Sequence, residues 1–443
     1  MVNQPINQCD KKQTKRGLYW FKNDLRLHDN QALKVMCESV DEATFIYIFD
    51  EKLLNTDKMG LSRIGVHRLR FLKQSLWDLS NNLLKLGHKL HIYSGDPVSC
   101  VASLVDSESF THVGMSVHNG WYERCEEDEL RKKLSAVEFV AQETFGLFNE
   151  NDLPFSINSM PDVFSPFRRK IEKASTPRTI CEIPQDFPLS YTPKHLPSRL
   201  PEVFDDITTS NSFSYEEGKF IGGETAALAH LQNYLFEWQA ASSYKETRNA
   251  LDTWRHSTKL SAWLANGSLS AREVVRQVTH FEQTVEKNDS TYWIYFELLW
   301  REFFYWLQRK YHSQWFAFSG IQNRAPNTRH DQETFEKWCN GTTGYPIVDA
   351  CMRQLLHTGY MSNRGRQLVA SCFVHELGLD WRYGAAWFEQ QLVDYDVGSN
   401  WGNWLYLAGV GSDPRGHRQF NLQKQTEIYD TDGSFRAKWL KPT

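Results

Sequence analysis

The strongest constraint on the fold is the alternation of short β-rich runs with helical segments between residue 18 and about residue 150. Apolar residues near a 3.6-residue period mark helices such as the one predicted over 63–86. This alternation predicts a parallel sheet with helices on both faces, and hence an α/β domain over residues 1–150. The predicted strands cover residues 18–21, 44–49, 89–93, 112–116 and 138–141.

The rest of the chain has a different pattern. Residues 151–220 are rich in Pro, Ser and Asn and lack strong periodicity, so we interpret them as a connector between domains. From Gly223 onward the pattern is helical, and residues 221–443 are predicted to form a larger all-α domain.

The loop after the first predicted strand, residues 20–30, carries no nucleotide-binding signature. It contains neither G-x-G-x-x-G nor G-x-x-x-x-G-K-[ST], so a dinucleotide or triphosphate in this turn is unsupported. The loop is rich in charged residues instead, and its simplest interpretation is a turn held by ion pairs.

Composition excludes several classes of protein. The 8 cysteines form no C-x-x-C pair, which indicates reduced thiols in a cytoplasmic protein without a metal or iron–sulfur site. No apolar run is long enough to span a membrane, and residues 1–16 lack the apolar stretch of a signal peptide. The formal net charge of −4 means that contact with DNA would depend on a local basic surface.

Residues 392–404 are the strongest candidate for a functional site. Asp394 and Asp396 lie two residues apart among apolar neighbours, so they are expected to be partly buried and to need partners. A capped loop between two helices would explain these residues too, because Asp, Asn and Gly are common in turns. Nearby tryptophans favour an aromatic, polar cofactor such as a flavin, since indole rings fill cores or stack on flat groups; they are Trp381, Trp387, Trp401 and Trp404.

Two earlier segments carry further candidate residues. Hydroxyl groups and a lysine precede a predicted helix at residues 257–261, a pattern that suits a diphosphate but also an ordinary N-cap. Glu297, Trp300 and Arg301 are spaced i, i+3 and i+4, so they share one helix face. A surface ion pair with packing is the alternative explanation for that face.

Several segments, in chain order, resemble the photolyase and cryptochrome family. Asp394, Tyr395, Asp396, Asn400 and Trp404 resemble its flavin-ring clamp, and Glu123 falls where members often contact a folate antenna. The similarity covers nearly the whole chain beyond residue 16, including residues 20–30, 152–155, 244–249, 257–261, 344–350, 361–367 and 379–382.

The resemblance implies two cofactors, FAD and, as antenna, 5,10-methenyltetrahydrofolate held by Glu123. Asn400 would face flavin N5, Asp396 would accept from the ring edge, and Arg366 would pair with Asp394. The implied FAD-binding residues are Tyr244, Arg248, Ser257, Thr258, Lys259, Leu260, Ser261, Asn363, Arg366, Asp394, Tyr395, Asp396 and Asn400.

The resemblance also implies residues for catalysis and for DNA. Glu297 would hydrogen-bond the lesion, and Trp404 followed by Trp381 would supply electrons to the flavin. The implied catalytic residues are Glu297, Asn363, Asn400, Trp404 and Trp381, and those for DNA are Glu297, Trp300, Arg301, Arg364, Gln367, Tyr406 and Arg418.

Departures from the family pattern narrow the expected function. Gln367 and Tyr406 stand where members acting on duplex DNA carry methionine and tryptophan, as in the DASH branch, and residues around Asn363 lack the histidine pair of (6-4) photolyases. No tryptophan stands near residues 327–329, where a third electron donor is expected, and Trp315 and Trp338 are the nearest in sequence.

The expected function is therefore blue-light repair of cyclobutane pyrimidine dimers, chiefly in single-stranded DNA, by a monomer. A photoreceptor without repair activity and a light-independent flavin oxidoreductase are the alternatives.

Overall fold

The computed structural model describes residues 14–195, 215–413 and 418–441. Residues 1–13 of the predicted first domain, Cys9 among them, and 196–214 of the predicted connector lie outside the described residues. Within the described ranges, no helix has both the length and the apolar character needed to cross a membrane. The same residues contain no cluster of three or more His, Cys, Asp or Glu side chains suited to a metal ion.

The N-terminal domain is built on a parallel sheet, and all five predicted strands are present in it. The five strands are β1 (Arg16–Phe21), β2 (Glu42–Phe49), β3 (Leu90–Ser94), β4 (His112–Val117) and β5 (Glu138–Glu143). The order across the sheet is β3-β2-β1-β4-β5, and a two-residue strand, β6 (Leu189–Ser190), pairs with the start of β2.

Helices cover both faces of this sheet, as the alternation predicts. Along β1, Tyr19 and Phe21 pack into one hydrophobic cluster while Leu18 and Trp20 pack into the other, because successive side chains of a strand point to opposite faces. The helices are α1 (Gln31–Ser39), α2 (Val66–Lys85), α3 (Pro97–Glu108) and α4 (Trp121–Lys133).

The predicted connector contains a helix, α5 (Phe164–Ala174), that its low periodicity did not indicate. Phe164, Phe167 and Ile171 are buried on one face, at the spacing i, i+3 and i+7. Pro166 lies in the first turn, where proline is tolerated because its missing N–H would have no partner inside the helix. Three apolar residues in a short window were too few to stand out among the surrounding Pro and Ser.

The C-terminal part is helical around one large hydrophobic core. Its longest helix, α10 (Asp289–Tyr311), has 23 residues and follows the capping residue Asn288, whose side chain accepts from the N–H groups of Ser290 and Thr291. The helices are α6 (Glu224–Gln232), α7 (Tyr244–Thr247), α8 (Ser261–Asn266), α9 (Ala271–Thr284), α10 (Asp289–Tyr311), α11 (Gln332–Cys339), α12 (Pro346–Thr358), α13 (Asn363–Ser371), α14 (Trp381–Gln391), α15 (Val397–Leu407), α16 (Leu422–Tyr429) and α17 (Ser434–Trp439).

A polar joint at residues 24–29 ties the sheet domain to the helical part. Buried Arg26 donates to the carbonyl oxygen of Gly267 at 2.8 Å, and buried Asp29 pairs with Arg272 at 2.8 Å. The Glu224 carboxylate accepts from the backbone N–H groups of residues 27 and 28. The charged loop after β1 is thus a structural ion-pair turn, one that joins two domains.

Candidate functional site

A cavity of about 450 Å³ in the helical part brings most of the predicted site residues together. It is bounded by α7, α8, α10, α13 and α15 and by the loops that precede α8 and α15. The predicted residues that line it are Tyr244, Arg248, Ser257, Thr258, Lys259, Leu260, Ser261, Glu297, Trp300, Arg301, Asn363, Arg366, Gln367, Asp394, Tyr395, Asp396, Asn400, Trp404, Tyr406 and Arg418.

An ion pair between Arg366 and Asp394 forms one wall of the cavity. Nη2 of Arg366 donates to both carboxylate oxygens of Asp394, at 2.9 and 2.7 Å. The side chain of Asp394 is buried, and a buried carboxylate needs such a partner. Nε of Arg366 donates to the carbonyl oxygen of Met361 at 2.9 Å, which fixes the guanidinium in place.

Asp396 both lines the cavity and caps α15. Its Oδ1 accepts from the backbone N–H of Ser399 at 2.7 Å, so it satisfies one of the free donors at the start of the helix. One turn later the side-chain amide of Asn400 donates to the carbonyl oxygen of Ala385 at 3.0 Å. The orientation of the Asn400 amide is therefore fixed by a neighbouring helix.

Trp404 lies one turn further along α15, and a glycine makes room for it. A Cβ atom on Gly384 of α14 would lie 2.3 Å from the Trp404 ring, too close for any side chain. The indole is buried and lines the cavity. Asp396, Asn400 and Trp404 thus reach the cavity from successive turns of a single, capped helix.

Glu297 pairs across the cavity with Arg248, at 2.7 Å. Burial raises the pKa of the Glu297 carboxyl, and the nearby Arg248 guanidinium opposes this rise. The pair joins α10 to the segment just after α7, and Tyr244 lies one turn before Arg248. The alternative explanation of this helix face, a surface ion pair with packing, does not describe Glu297, whose partner is Arg248 on another segment.

The loop before α8 holds a lysine among hydroxyl groups. Nζ of Lys259 donates to Oγ of Ser257 at 2.7 Å and to the carbonyl oxygen of Thr253 at 3.2 Å. The backbone of Lys259 has φ +53°, a left-handed conformation that is uncommon for lysine. The loop therefore presents a cation and several hydroxyl groups to one region of the cavity.

The half-exposed end of the cavity is aromatic. The ring of Trp300 stacks on Phe164 of α5, with centroids 3.7 Å apart, and lies 6.2 Å from Tyr406. The guanidinium of Arg418 lies 4.7 Å from the centre of the Tyr406 ring. Oε1 of Gln367 is buried here and has no hydrogen-bond partner among the described residues.

Two of the arginines implied for DNA lie elsewhere or are already engaged. Arg364 is outside the cavity lining, and its guanidinium lies 4.7 Å over the ring of Tyr429. Arg301 lines the cavity, but its guanidinium donates to the carbonyl oxygens of Phe145 and Leu264 and stacks on the Phe145 ring at 3.8 Å. Arg301 therefore fastens the sheet domain to α10, since Phe145 follows β5 closely.

The tryptophans near Trp404 form two sets of contacts. Trp338 lies 6.1 Å from Trp404, and Trp381 lies 5.7 Å from Trp401. Trp381 does not line the cavity within the described part of the chain. Residues 327–329, where a third donor is expected, do run beside Trp381, because the backbone of Arg329 bonds to residues 378 and 380.

A second cavity, of about 240 Å³, lies at the carboxyl end of β1 and contains Glu123. Oε2 of Glu123 is buried and has no hydrogen-bond partner among the described residues. Lys22 and Asn23 also line this cavity. Three residues line both cavities, so the two share a wall: Ala265, Tyr395 and Asp396.

The sequence interpretation missed several residues of the first cavity. Tyr360 lines it next to the loop and the ion pair, with its ring 5.1 Å from Nζ of Lys259 and 5.4 Å from the Arg366 guanidinium. Its position directly before residues 361–367 could have indicated it. Phe296 and Asn403 also line the cavity, and both stand beside residues that the sequence had singled out.

Comparisons with known proteins agree with this geometry. Residues 17–188 match the family model for DNA photolyase, and residues 293–442 match that for the FAD-binding domain of DNA photolyase. A cryptochrome DASH of Idiomarina loihiensis is 46% identical over 96% of this chain and 92% of the relative, and one of Synechocystis is 40% identical over 96% and 87%.

Solved structures show the same architecture. A cryptochrome of Synechocystis superposes with a TM-score of 0.89 at 39% identity, over 97% of this chain and 89% of that structure. A bacterial class III photolyase of Agrobacterium tumefaciens gives 0.81 at 27% identity, over 98% and 88%. The chain therefore belongs to the photolyase and cryptochrome family, as a member of the cryptochrome DASH type with an FAD-binding domain.

Proposed function

We propose that this chain repairs cyclobutane pyrimidine dimers, chiefly in single-stranded DNA, in a reaction driven by blue light. The observation that carries the proposal is the composition of the 450 Å³ cavity. Around α15 and the loop before α8 it holds carboxylates, an amide and a hydroxyl-rich loop suited to a flavin nucleotide. Its half-exposed end holds two aromatic rings and a carboxyl group suited to a pyrimidine dimer.

The residues around α15 and the loop before α8 fit FAD. The cation and hydroxyl groups of the loop at residues 257–261 suit a diphosphate. Asp396 and the amide oxygen of Asn400 can accept hydrogen bonds from a ring, and the Arg366–Asp394 pair adds a fixed polar surface without net charge. When bound in its reduced form and excited by light, FAD would supply the electron for splitting the cyclobutane ring and would take it back afterwards.

The half-exposed end of the cavity fits a dimer turned out of its strand. Trp300 and Tyr406 offer aromatic surfaces 6.2 Å apart between ring centres, on which flat pyrimidines can pack. Glu297 brings a carboxyl group to this end of the cavity, where it can hydrogen-bond a pyrimidine ring. Burial raises the pKa of this carboxyl, and the Arg248 guanidinium 2.7 Å away opposes the rise. Asn363, at the start of α13, also lines this region.

The proposed preference for single strands follows from two polar groups. Removing a dimer from a duplex costs a few kcal/mol of lost stacking, which contact inside the protein must offset. Gln367 brings a buried amide oxygen without a partner into the cavity, and Tyr406 brings a hydroxyl group. A single-stranded dimer loses much less stacking on binding, so it needs less apolar contact.

The second cavity supports a proposal for the antenna. The buried, unpartnered carboxylate oxygen of Glu123 would accept from the N–H groups of the pterin ring of 5,10-methenyltetrahydrofolate. We also propose Trp404, and then Trp381, as electron donors that return the flavin to its reduced state. Trp404 lines the cavity directly, which supports its place as the first donor.

Three organisational features complete the proposal. We place the domain boundaries at residues 150 and 220, with the connector between them. We propose a monomer, which size-exclusion chromatography with light scattering can test. The described cysteines are all free thiols, which supports action in a reducing compartment such as the cytoplasm.

The decisive experiment measures repair of one dimer in a single-stranded and in a duplex oligonucleotide, under blue light and at matched salt. We expect repair of the single strand, little or none of the duplex, and none in the dark. Equal rates on both substrates would reject the strand preference. A protein that photoreduces its flavin but repairs neither substrate would be a photoreceptor, and light-independent turnover would indicate an oxidoreductase.

A further inference from the structure

We propose that the outward face of α5 (Phe164–Ala174) is a track for the phosphates of the single strand on either side of the dimer. This inference rests on the proposed function, because the cavity fixes where the dimer lies. The track would bind phosphates without regard to base sequence, since phosphate contacts carry no sequence information.

The position of α5 is the first argument. Its first residue, Phe164, stacks on Trp300 of the cavity, with centroids 3.7 Å apart and planes inclined by 12°. One turn later, the guanidinium of Arg168 lies 5.3 Å from the ring centre of Phe296, another residue of the lining. The helix therefore begins against the half-exposed end of the cavity and extends about 16 Å, at 1.5 Å per residue.

The charge of α5 is the second argument. The helix carries the four cations Arg168, Arg169, Lys170 and Lys173 and the single anion Glu172. Arg168 lies 3.6 Å from Glu172, while Arg169, Lys170 and Lys173 are exposed and make no ion pair with any carboxylate of the described residues. On a chain with a net charge of −4, three unneutralised cations on one short helix form a local attraction for polyanions.

The orientation of α5 is the third argument. Phe164, Phe167 and Ile171 are buried, so the helix can rotate little about its axis. At 100° per residue, Arg169 and Lys173 fall on the side opposite that buried face. Lys170 lies at the flank between the two sides, with its Nζ 5.8 Å from the centre of the Phe155 ring, and is exposed as well. The three cations are thus held towards solvent on a rigid element, beside the opening that would receive the dimer.

A single strand suits this surface better than a duplex. A strand whose dimer occupies the cavity must continue past Trp300, and a flexible single strand can turn to follow a helix that begins there. The ring of Phe296 lines the cavity and lies 5.3 Å from that of Phe164 on α5, so it can pack against a flanking base. Trp293 stacks on Phe296 at 4.5 Å and extends this aromatic surface along α10.

The test compares the parent protein, a triple variant and a control variant. It measures their binding to fluorescent oligothymidylates of 12 nucleotides, with and without one dimer, over a range of salt concentrations. The triple variant R169Q/K170Q/K173Q removes the proposed track. The control K85Q/K89Q/K132Q removes the same charge from exposed lysines. These lie where α2 and α4 end and β3 begins, at the amino-terminal edge of the sheet.

We expect the triple variant to bind the 12-nucleotide strands roughly 10- to 100-fold more weakly at 0.1 M salt. The slope of log K against log salt should become shallower by about 2, because each of the three lost phosphate contacts contributes about 0.7 to that slope. Binding of the isolated dinucleotide dimer, FAD retention and the control variant should remain unchanged. Equal salt dependence in all three proteins, or an equal loss with the dinucleotide dimer, would overturn the track.

The same experiment separates the track from the proposed repair. A triple variant that loses salt dependence on undamaged and dimer-bearing strands alike, while no protein repairs the dimer, would uphold the track and reject the repair function. If all three proteins repair the dimer and their strand binding has the same salt dependence, the repair function would be upheld and the track rejected.

Discussion

Replacing Asp396 by asparagine should weaken FAD binding while leaving the stability of the helical domain almost unchanged. Asp396 has two roles that one substitution to alanine would confuse. Its Oδ1 caps α15 through the Ser399 N–H at 2.7 Å, and the carboxylate also faces the cavity. Loss of an N-cap costs about 0.5–2 kcal/mol of stability, so Asp396→Ala should destabilise the helix that carries Asn400 and Trp404.

Asparagine caps a helix about as well as aspartate does, so the cap survives in Asp396→Asn. With its oxygen on the Ser399 N–H, the new side chain turns an N–H₂ group to the cavity, where a ring N–H needs an acceptor. A buried donor left unpaired costs about 1–3 kcal/mol, which corresponds to a roughly 5- to 150-fold higher Kd. Asp396→Ala should suffer this loss and the loss of stability together.

The assay has two parts. Fluorescence titration of the apoproteins with FAD gives the Kd, and urea unfolding of the same apoproteins gives the stability. Asp331→Ala is the control, since Asp331 caps α11 through the Thr334 N–H at 2.9 Å and is exposed outside the cavity. It should lose stability and keep the Kd. An unchanged Kd in Asp396→Asn would refute the acceptor role of this carboxylate.

Three further predictions concern single side chains. Trp404→Phe should abolish or strongly slow flavin photoreduction with FAD still bound, whereas Trp338→Phe, equally buried and 6.1 Å from Trp404, should keep the parent rate. Glu123→Gln should remove a near-ultraviolet antenna band and keep the flavin bands, and Glu127→Gln on the same helix should change neither; an antenna band that persists in Glu123→Gln would exclude this contact. Burial raises the pKa of Glu143 to about 7 from 4.5, so the folded state favours its protonated form. This preference stabilises the folded state fully below about pH 4.5, and the stabilisation is lost as pH rises through 7. The loss of stability is at most about 3 kcal/mol, and solvent screening reduces it. Glu143→Gln should thus be more stable than the parent at pH 8 in urea unfolding and differ little at pH 4.5, and equal stability at pH 8 would contradict the shift.

The sheet domain could be predicted from the sequence because each strand carries its own signal. Apolar β-rich runs such as residues 44–49 alternate with helices of clear period, and both properties are local. The helix in the connector was harder to predict, because its buried face depends on contacts with distant parts of the chain. Phe164, Phe167 and Ile171 mark the buried face of α5. Phe164 packs on Trp300 and Phe167 on Phe303, and both partners are more than a hundred residues away in the chain.

The grouping of residues around the cavity could be foreseen where one helix carries several of them. Asp396, Asn400 and Trp404 share α15, so their spacing alone brings them to one side. Arg301 and Arg364 were harder to interpret, because an arginine next to a site has several acceptors within reach. The acceptors of Arg301 are the carbonyl oxygens of Phe145 and Leu264, and no local pattern indicates them.

The contacts among tryptophans also depend on packing between distant segments. Trp338 and Trp404 lie 66 positions apart along the chain and meet only because α11 and α15 pack into the same core. The shared wall between the two cavities has the same origin. Asp396 reaches both cavities because the loop before α15 lies between the sheet domain and the helical domain.

The joint at residues 24–29 limits how this chain can be recombined with its relatives. Arg26 is buried and donates to Gly267 of the helical domain at 2.8 Å and to Thr144 of the sheet domain at 2.7 Å. A chimera that exchanged the sheet domain alone would separate this guanidinium, and the Asp29 carboxylate, from the backbone and side chains that complement them. Successful crossovers should therefore transfer Glu224 and residues 266–272 together with the sheet domain, so that the two halves of the joint are inherited as a unit.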